Sequence, residues 1–179
     1  MDSINRNQPE HNRENLTAQD AVVRIREMSD NAESCFFCTT PLADSETGGT
    51  RPMSIEEADE TGALWFLSSS DSHKNAEIEA DPDVRLYLQS SKHSGFLVLD
   101  GQATISRDKA RIDALWNPIM KTWFTDGKDD ARITVIKVTP TAGYYWDNKH
   151  GDFVAGTKML IGAAIGRTLD DSIEGNVAP

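Results

Sequence analysis

Residues 64–78 read LWFLSSSDSHKNAEI, and the rest of the chain is interpreted outward from this stretch. The apolar run 64–67 predicts a buried strand, and a helix over 72–80 follows it. The first N–H groups of a helix have no partners within the helix. Together with Lys74 and the hydroxyls of Ser68 and Ser69, these N–H groups would suit a terminal phosphate. The alternative is that Ser70, Asp71 or Ser72 only caps the helix, and that Lys74 is a solvated surface residue.

The composition indicates one acidic domain. The 179 residues carry a net charge of −11, which disfavours nucleic acid as a partner. No apolar run reaches the roughly 18 residues that span a bilayer, and the polar N-terminus has no signal-peptide core. We therefore expect no membrane association and a cytoplasmic location. We also expect a disordered tail over 1–15, a domain over 16–167 and a flexible tail over 168–179.

The pattern along the chain predicts a mainly β fold. Strands are predicted at 34–40, 51–55, 63–68, 84–89, 94–107, 132–140 and 142–147, and helices at 17–30, 72–80, 108–124 (interrupted near Asn117-Pro118) and 158–166. A glycine inside 94–107 indicates a bulge or a close approach of two backbones. Short turns and no repeated βαβ unit favour an antiparallel β-barrel with peripheral helices.

A predicted hairpin brings a second cation to the serines. The turn ADETG joins strand 51–55 to strand 63–68, so Arg51 is expected to project near Ser68. An arginine and a lysine converging on hydroxyls form a plausible phosphate clamp. The apolar faces of both strands offer a wall for a flat ring. A phosphorylated planar cofactor such as FMN fits this arrangement.

The other reactive residues indicate little chemistry. Cys35 and Cys38 lie in a predicted strand, where positions three apart face opposite sides about 10 Å apart. We therefore expect two structural thiols and neither a disulfide nor a metal site. The four histidines are scattered, and no hydrolase or Walker motif is present. Acidic pairs such as Glu56-Glu57 are interpreted as surface residues.

Longer stretches carry a family resemblance over about residues 17–165. RPM, LWFLSSSDSHKNAEIEADPDVRLYL and SGFLVLDGQATI together resemble the FMN-binding split-barrel family related to pyridoxamine 5′-phosphate oxidase. The stretch RIDALWNPIMKTWFTDGKDDARITVIKVTPTAGYYWD resembles the general stress protein 26 branch of that family. The resemblance implies an antiparallel split β-barrel, a bound FMN (or FAD) and a homodimer with the flavin at its interface.

The resemblance also implies roles for individual residues. Arg51, Pro52 and Met53 would line the flavin ring, with Phe66 and Leu67 leading to it, and Ser68, Ser69, His73 and Lys74 would hold the phosphate. Gln102, Trp116 and Trp123-Phe124 would complete the site from the second subunit. The alternatives are that Met53 and Leu67 are core residues, that the aromatic residues serve packing or dimer contacts, and that Gln102 is an outward strand residue.

The C-terminal end departs from the true oxidases. Those enzymes carry an Arg-x-His substrate motif and an Arg-Leu-x-Pro-like end, whereas this chain ends in GRTLDDSIEGNVAP. We therefore expect a flavin-dependent oxidoreductase of unknown substrate that does not oxidise pyridoxamine phosphate, with no catalytic acid or base assigned. The alternative is a non-catalytic module for flavin binding, sensing or storage. Deazaflavin and haem fit less well, because the chain is acidic and no histidine is placed as an axial ligand.

Overall fold

The computed structural model describes residues 12–43, 45, 47–91, 94–149 and 171–179. The helices in this part of the chain are α1 (Ala18–Ala32), α2 (His73–Ala80) and α3 (Lys109–Leu115), with 3-10 helices at Pro118–Thr122 and Gly127–Asp129. The strands are β1 (Leu16–Thr17), β2 (Ser34–Thr39), β3 (Thr50–Ser54), β4 (Glu57–Ala58), β5 (Leu64–Ser69), β6 (Asp83–Gln89), β7 (Phe96–Ser106), β8 (Ile133–Asn148) and β9 (Ser172–Ala178). None of these helices is long and apolar enough to cross a membrane.

The strands form one branched sheet in the order β1-β9-β8-β7-β6-β2-β3. A branch leaves it where β5 pairs with the first part of β8, and β4 pairs with β5. Every ladder is antiparallel except that between β1 and β9. The predicted mainly β, antiparallel character is confirmed. Within the described residues no ladder joins β3 to β5, so the sheet there is not closed into a barrel.

Two apolar clusters hold the sheet and its helices together. In the larger one, Phe37 and Phe66 are fully buried and meet edge to face, with ring centroids 5.2 Å apart. Helix α1 contributes Ile25 and Met28 to it. A smaller cluster packs α3 and the 3-10 helix Pro118–Thr122 against the branch made by β5 and β8. This second cluster builds one wall of the candidate site.

The long strand β8 replaces two predicted strands. The chain continues from Ile133 to Asn148 without a break, and an extra residue, Thr141, is accommodated as a bulge opposite Asp100 and Gly101. A Cβ on Gly101 would lie 2.6 Å from the Thr139 carbonyl oxygen, so the predicted bulge and close approach are confirmed. The predicted interruption near Asn117-Pro118 is confirmed as well, because α3 ends at Leu115.

The predicted hairpin between 51–55 and 63–68 is wrong. Strand β3 pairs with β2, with Arg51 opposite Phe37, and the hairpin partner of β5 is the two-residue strand β4. The Asp59 carboxylate fixes the turn of that hairpin by accepting the Ala63 N–H at 3.1 Å and the Trp65 indole N–H at 2.8 Å. A two-residue strand is too short for a pattern of alternation to reveal.

The C-terminal residues differ from the flexible tail predicted for 168–179. Ser172–Ala178 form β9, which lies between β8 and β1, and Val177 is buried. The close packing depends on Gly175, since a Cβ there would collide with the Glu14 carbonyl oxygen. Residues 12–15 are tied to this strand, with the Glu14 N–H donating to the Glu174 carbonyl at 2.9 Å. Residues 1–11 and the predicted helix 158–166 lie outside the described residues.

Candidate functional site: a serine-lined cavity at the start of helix α2

The junction between β5 and α2 is fixed by a polar network. The Ser72 hydroxyl caps α2 by accepting the Asn75 N–H at 3.3 Å. Ser68 donates to the Asn75 side-chain oxygen at 2.8 Å, and Asn75 donates in turn to the Thr134 hydroxyl of β8 at 2.9 Å. The capping role considered for this stretch is confirmed, and it positions the Ser68 hydroxyl at the end of the strand.

Lys74 is buried rather than solvated. Its side chain lies in the first turn of α2, and the residue is 8% exposed. No hydrogen bond or ion pair to the Lys74 ammonium occurs within the described part of the chain. Burial, and then the positive charge of Arg51, lower the pKa of Lys74 from 10.5 to about 8, against a smaller opposing effect of Glu77. A mostly protonated ammonium therefore remains at neutral pH without a counter-charge of its own.

Lys74 faces a cavity of about 460 Å³. Its wall brings together eight predicted site residues: Pro52, Met53, Leu67, Ser68, Ser69, Lys74, Trp123 and Phe124. Ser54, Glu56, Asp71, Ser72, Met120 and Arg132 complete the lining. Hydroxyls and an unpaired cation thus share one cavity with two methionines and two aromatic rings. Pockets of this size and mixed lining are typical of small-molecule sites.

Arg51 lies outside this lining. Its guanidinium donates to the Glu77 carboxylate at 2.5 Å and to the Thr39 hydroxyl at 2.6 Å. Glu77 is fully buried, and hydrogen bonds from Thr39 and Arg51 lower its pKa, offsetting the effect of its burial. Arg51 thus adds positive charge near Lys74 without an unpaired guanidinium. Its predicted part in a phosphate clamp stays a prediction.

Four other predicted residues also lie away from the cavity wall. Phe66 belongs to the core and His73 is exposed. Gln102 is exposed on β7 and donates to Asp83 at 3.4 Å. Trp116 packs against Phe124, with ring centroids 6.4 Å apart. Any contribution of Gln102 or Trp116 to a partner's site stays a prediction.

Trp123 and Phe124 line the cavity of their own chain, whereas the family resemblance implied that they reach the partner's site. The segment after α3 folds back so that Met120 and Phe124 pack on Leu67 and Ile133. This packing leaves Trp123 60% exposed at the cavity wall.

Two charged groups of the cavity were missed. Glu56, interpreted from sequence as a surface residue, is half-buried in the lining, and burial raises the pKa of its carboxyl. Its one hydrogen bond from a described side chain comes from the Asn117 amide at 3.5 Å. Arg132 was unassigned; it is held by Asp130, with N–O distances of 2.8 and 3.1 Å. The sequence around Glu56 and around Arg132 has no pattern that distinguishes these residues from charged residues on the surface.

An aromatic surface adjoins the cavity. Phe36 and Tyr87 are cross-strand partners, as are Phe96 and Trp146, and these four residues are between 41% and 56% exposed. Pro52 lies at the boundary and lines both the cavity and the groove beside Phe36. We call these four aromatic residues the aromatic face. Such a patch is a typical interaction site.

Residues 20–170 match the sequence model of a known family, which is described as pyridoxamine 5′-phosphate oxidase like. The chain belongs to this family. It is similar to general stress protein 26 of Bacillus subtilis, with 29% identity over 80 residues, which cover 43% of this chain and 56% of that protein. It is also similar to protein bli-3 of Neurospora crassa, with 26% identity over 133 residues, which cover 68% of this chain. The matched regions span 64% of the length of protein bli-3 and 56% of that of general stress protein 26.

Solved structures of the family share the fold. A general stress protein 26 from Jannaschia sp. CCS1 superposes with a TM-score of 0.74 at 19% identity, covering 90% of this chain and 100% of its own. The general stress FMN/FAD binding protein from Xanthomonas citri gives a TM-score of 0.59 at 22% identity, covering 71% of this chain and 87% of its own. The predicted resemblance to the general stress protein 26 branch is confirmed.

Proposed function

We propose that the chain binds FMN in the serine-lined cavity and serves as a flavin-dependent oxidoreductase of the general stress protein type. The observation that carries the proposal is the buried Lys74 ammonium, which has no partner among the described residues and faces the cavity. A buried charge without a partner is costly, and a phosphate dianion would supply the missing counter-charge. The family, and the Xanthomonas citri relative described as binding FMN or FAD, support the same ligand class.

The residues present fit both ends of this cofactor. Ser68 and Ser69 line the cavity with Lys74 near the N-terminus of α2, and a phosphate there would accept the Ser69 hydrogen bond that Asp71 now accepts. Met53, Leu67 and Trp123 offer apolar surface to a flat ring. The cavity is open to solvent, so an FAD whose nucleotide extends outward is compatible with the same contacts.

The redox chemistry would come from the flavin, which accepts and donates electrons when bound. The chain would anchor the phosphate, orient the ring and limit solvent access through the segment that carries Met120 and Trp123. We assign no residue as a catalytic acid or base of the flavin reaction. The proposal does not include oxidation of pyridoxamine phosphate, because no Arg-x-His motif occurs in residues 1–179.

The proposal includes a homodimer with the aromatic face at its interface. Four large aromatic side chains are exposed on adjacent strands, and aromatic residues dominate the energetics of protein interfaces. Because Pro52 links this face to the cavity, a second copy docked there would border the flavin.

A non-catalytic flavin-binding protein is the second candidate, since it needs the same cavity. Oxidation of NAD(P)H with added FMN distinguishes the two. A rate above that of free FMN at equal concentration supports the oxidoreductase, whereas an equal or lower rate supports storage or sensing.

The binding proposal is tested by titrating the purified chain with FMN and following flavin fluorescence. We expect Lys74→Met to weaken FMN binding by about 10- to 100-fold, since a hydrogen bond to a charged group contributes about 1.5–3 kcal/mol. Riboflavin, which has no phosphate, should bind the parent and the variant alike. Lys128→Met is the matched control, because Lys128 is an exposed residue outside the cavity that pairs with Asp113 at 3.4 Å. Equal FMN affinities for parent and Lys74→Met would overturn the proposal.

A further inference from the structure

Glu56 puts a negative charge into the cavity that no described cation neutralises. Its carboxyl is half-buried in the lining, and no Lys or Arg of the described residues lies within ion-pair distance of it. The charges that shift Lys74 are those of Arg51 and Glu77, so Glu56 is not the counter-charge of Lys74. The neighbouring Glu57 has a different environment, since it pairs with Arg111 at 3.0 Å.

Among the charged groups of the cavity, Glu56 is the carboxylate best placed to pair with a cationic ligand. Arg132 is already paired with Asp130. Asp71 accepts a hydrogen bond from Ser69 and is exposed to solvent, which screens its charge. Half-burial makes the field of Glu56 stronger than that of an exposed carboxylate.

The apolar part of the lining suits a flat cation. Trp123 is 60% exposed and lines the cavity together with Met120. Aromatic faces attract cations, with contributions of about 0.5–2 kcal/mol, and methionine adapts to ligands of varied shape. A cavity lined by both a carboxylate and such a surface suits an aromatic amine or amidine.

We propose that Glu56 makes this cavity select planar cationic ligands, of the aromatic amine or amidine class, over anionic ligands of the same shape. The inference rests on the proposed function, because the cation is the second ligand, bound beside the flavin. It assigns Glu56 a role in substrate selection, and it predicts that phosphorylated or carboxylated substrates are rejected.

The test compares benzamidinium with benzoate, which have nearly the same shape and opposite charge. Their dissociation constants are measured on the FMN-loaded chain at low ionic strength, by equilibrium dialysis and by the change in flavin absorbance. We expect benzamidinium to bind at least tenfold more tightly. Glu56→Gln should remove this preference and Glu56→Lys should reverse it, while Glu60→Gln, which alters an exposed carboxylate in the turn, should leave it unchanged.

The outcomes separate the two proposals. If FMN binds normally but both ligands bind with equal affinity, or the preference survives Glu56→Gln, the inference is overturned and the flavin site stands. If FMN does not bind, the proposed function fails, and the same pair is measured on the flavin-free Lys74→Met chain, where no unpaired ammonium attracts benzoate and equal affinities overturn the inference. Parent-like circular dichroism and FMN affinity of Glu56→Gln exclude misfolding as the cause of a lost preference.

Discussion

Lys74 couples ligand binding to stability at the scale of a single residue. Its folded-state pKa of about 8 lies below the ordinary value of 10.5, since burial disfavours the charged form. The folded chain therefore holds fewer protons than the unfolded chain between these two pH values. The free energy of unfolding therefore rises with pH across this window. Below pH 8 the lysine is charged in both states, and the cost of burying that charge lowers the free energy of unfolding in full.

We expect Lys74→Met to stabilise the flavin-free chain at pH 7 by up to about 3 kcal/mol, since one pKa unit corresponds to about 1.4 kcal/mol. At pH 10 the gain should fall below about 1 kcal/mol, because the folded parent has already lost the proton and pH 10 lies only about half a unit below the unfolded-state pKa of 10.5. Urea unfolding of parent and variant at the two pH values measures this. A variant that is less stable than the parent at pH 7, or a gain independent of pH, contradicts the prediction.

The sequence predicted the residues of the cavity only in part. The serines and Lys74 were found because they are contiguous and adjoin a clear strand-to-helix change. Arg51 was placed wrongly because its predicted position depended on a pairing of strand 51–55 with strand 63–68, whereas β3 pairs with β2. Glu56 was missed because half-burial of a single carboxylate arises from a distant segment, which folds over it and leaves no periodic pattern near residue 56.

At the scale of elements, the 3-10 helix Pro118–Thr122 is attached to the cavity through Asn117. The Asn117 side-chain oxygen caps this helix by accepting the Ile119 N–H at 2.9 Å, and its amide donates to Glu56 at 3.5 Å. One side chain thus holds both the helix that carries Met120 and the Glu56 carboxylate of the cavity lining. The sequence predicted the break at Asn117-Pro118 but not this contact, which joins residues 61 positions apart.

We expect Asn117→Asp to loosen the helix Pro118–Thr122 while retaining its cap, since aspartate caps as well as asparagine. The new carboxylate would face Glu56, so the attractive contact becomes repulsive, at a cost of about 1 kcal/mol. Hydrogen exchange at 118–124 should accelerate relative to α1. Combining Asn117→Asp with Glu56→Gln should restore the parent rate, and an unchanged rate in the single variant would show that the contact does not hold the helix.

At the scale of the whole molecule, the aromatic face is a set of large apolar side chains that the described residues leave exposed. Side chains along β2, β6 and β7 alternate between the core and the surface, because each strand has a period of two. The branch at β8 and the pairing of β9 with β1 were not predictable in this way. They join strands far apart in sequence, and the glycine in β9 concealed its strand character.

We expect Phe36→Lys to convert a dimer into a monomer and to weaken FMN binding, since the groove beside Phe36 shares Pro52 with the cavity. Burying an unpaired lysine at the centre of an interface costs several kcal/mol. Light scattering after size exclusion measures the mass of parent and variant. Val23→Lys is the control, because Val23 is an exposed apolar residue of α1. A parent that is monomeric at all concentrations would exclude the dimer.

The length of strand β8 limits how this protein can be dissected into fragments and how its gene can recombine. Its first part pairs with β5, opposite Ser68, and its second part carries Trp146 and pairs with β9. One uninterrupted backbone thus serves the ligand cavity and the aromatic face. The two cannot be separated into independent modules by cutting or recombining the gene within 133–148, so selection acts on them as a single inherited unit.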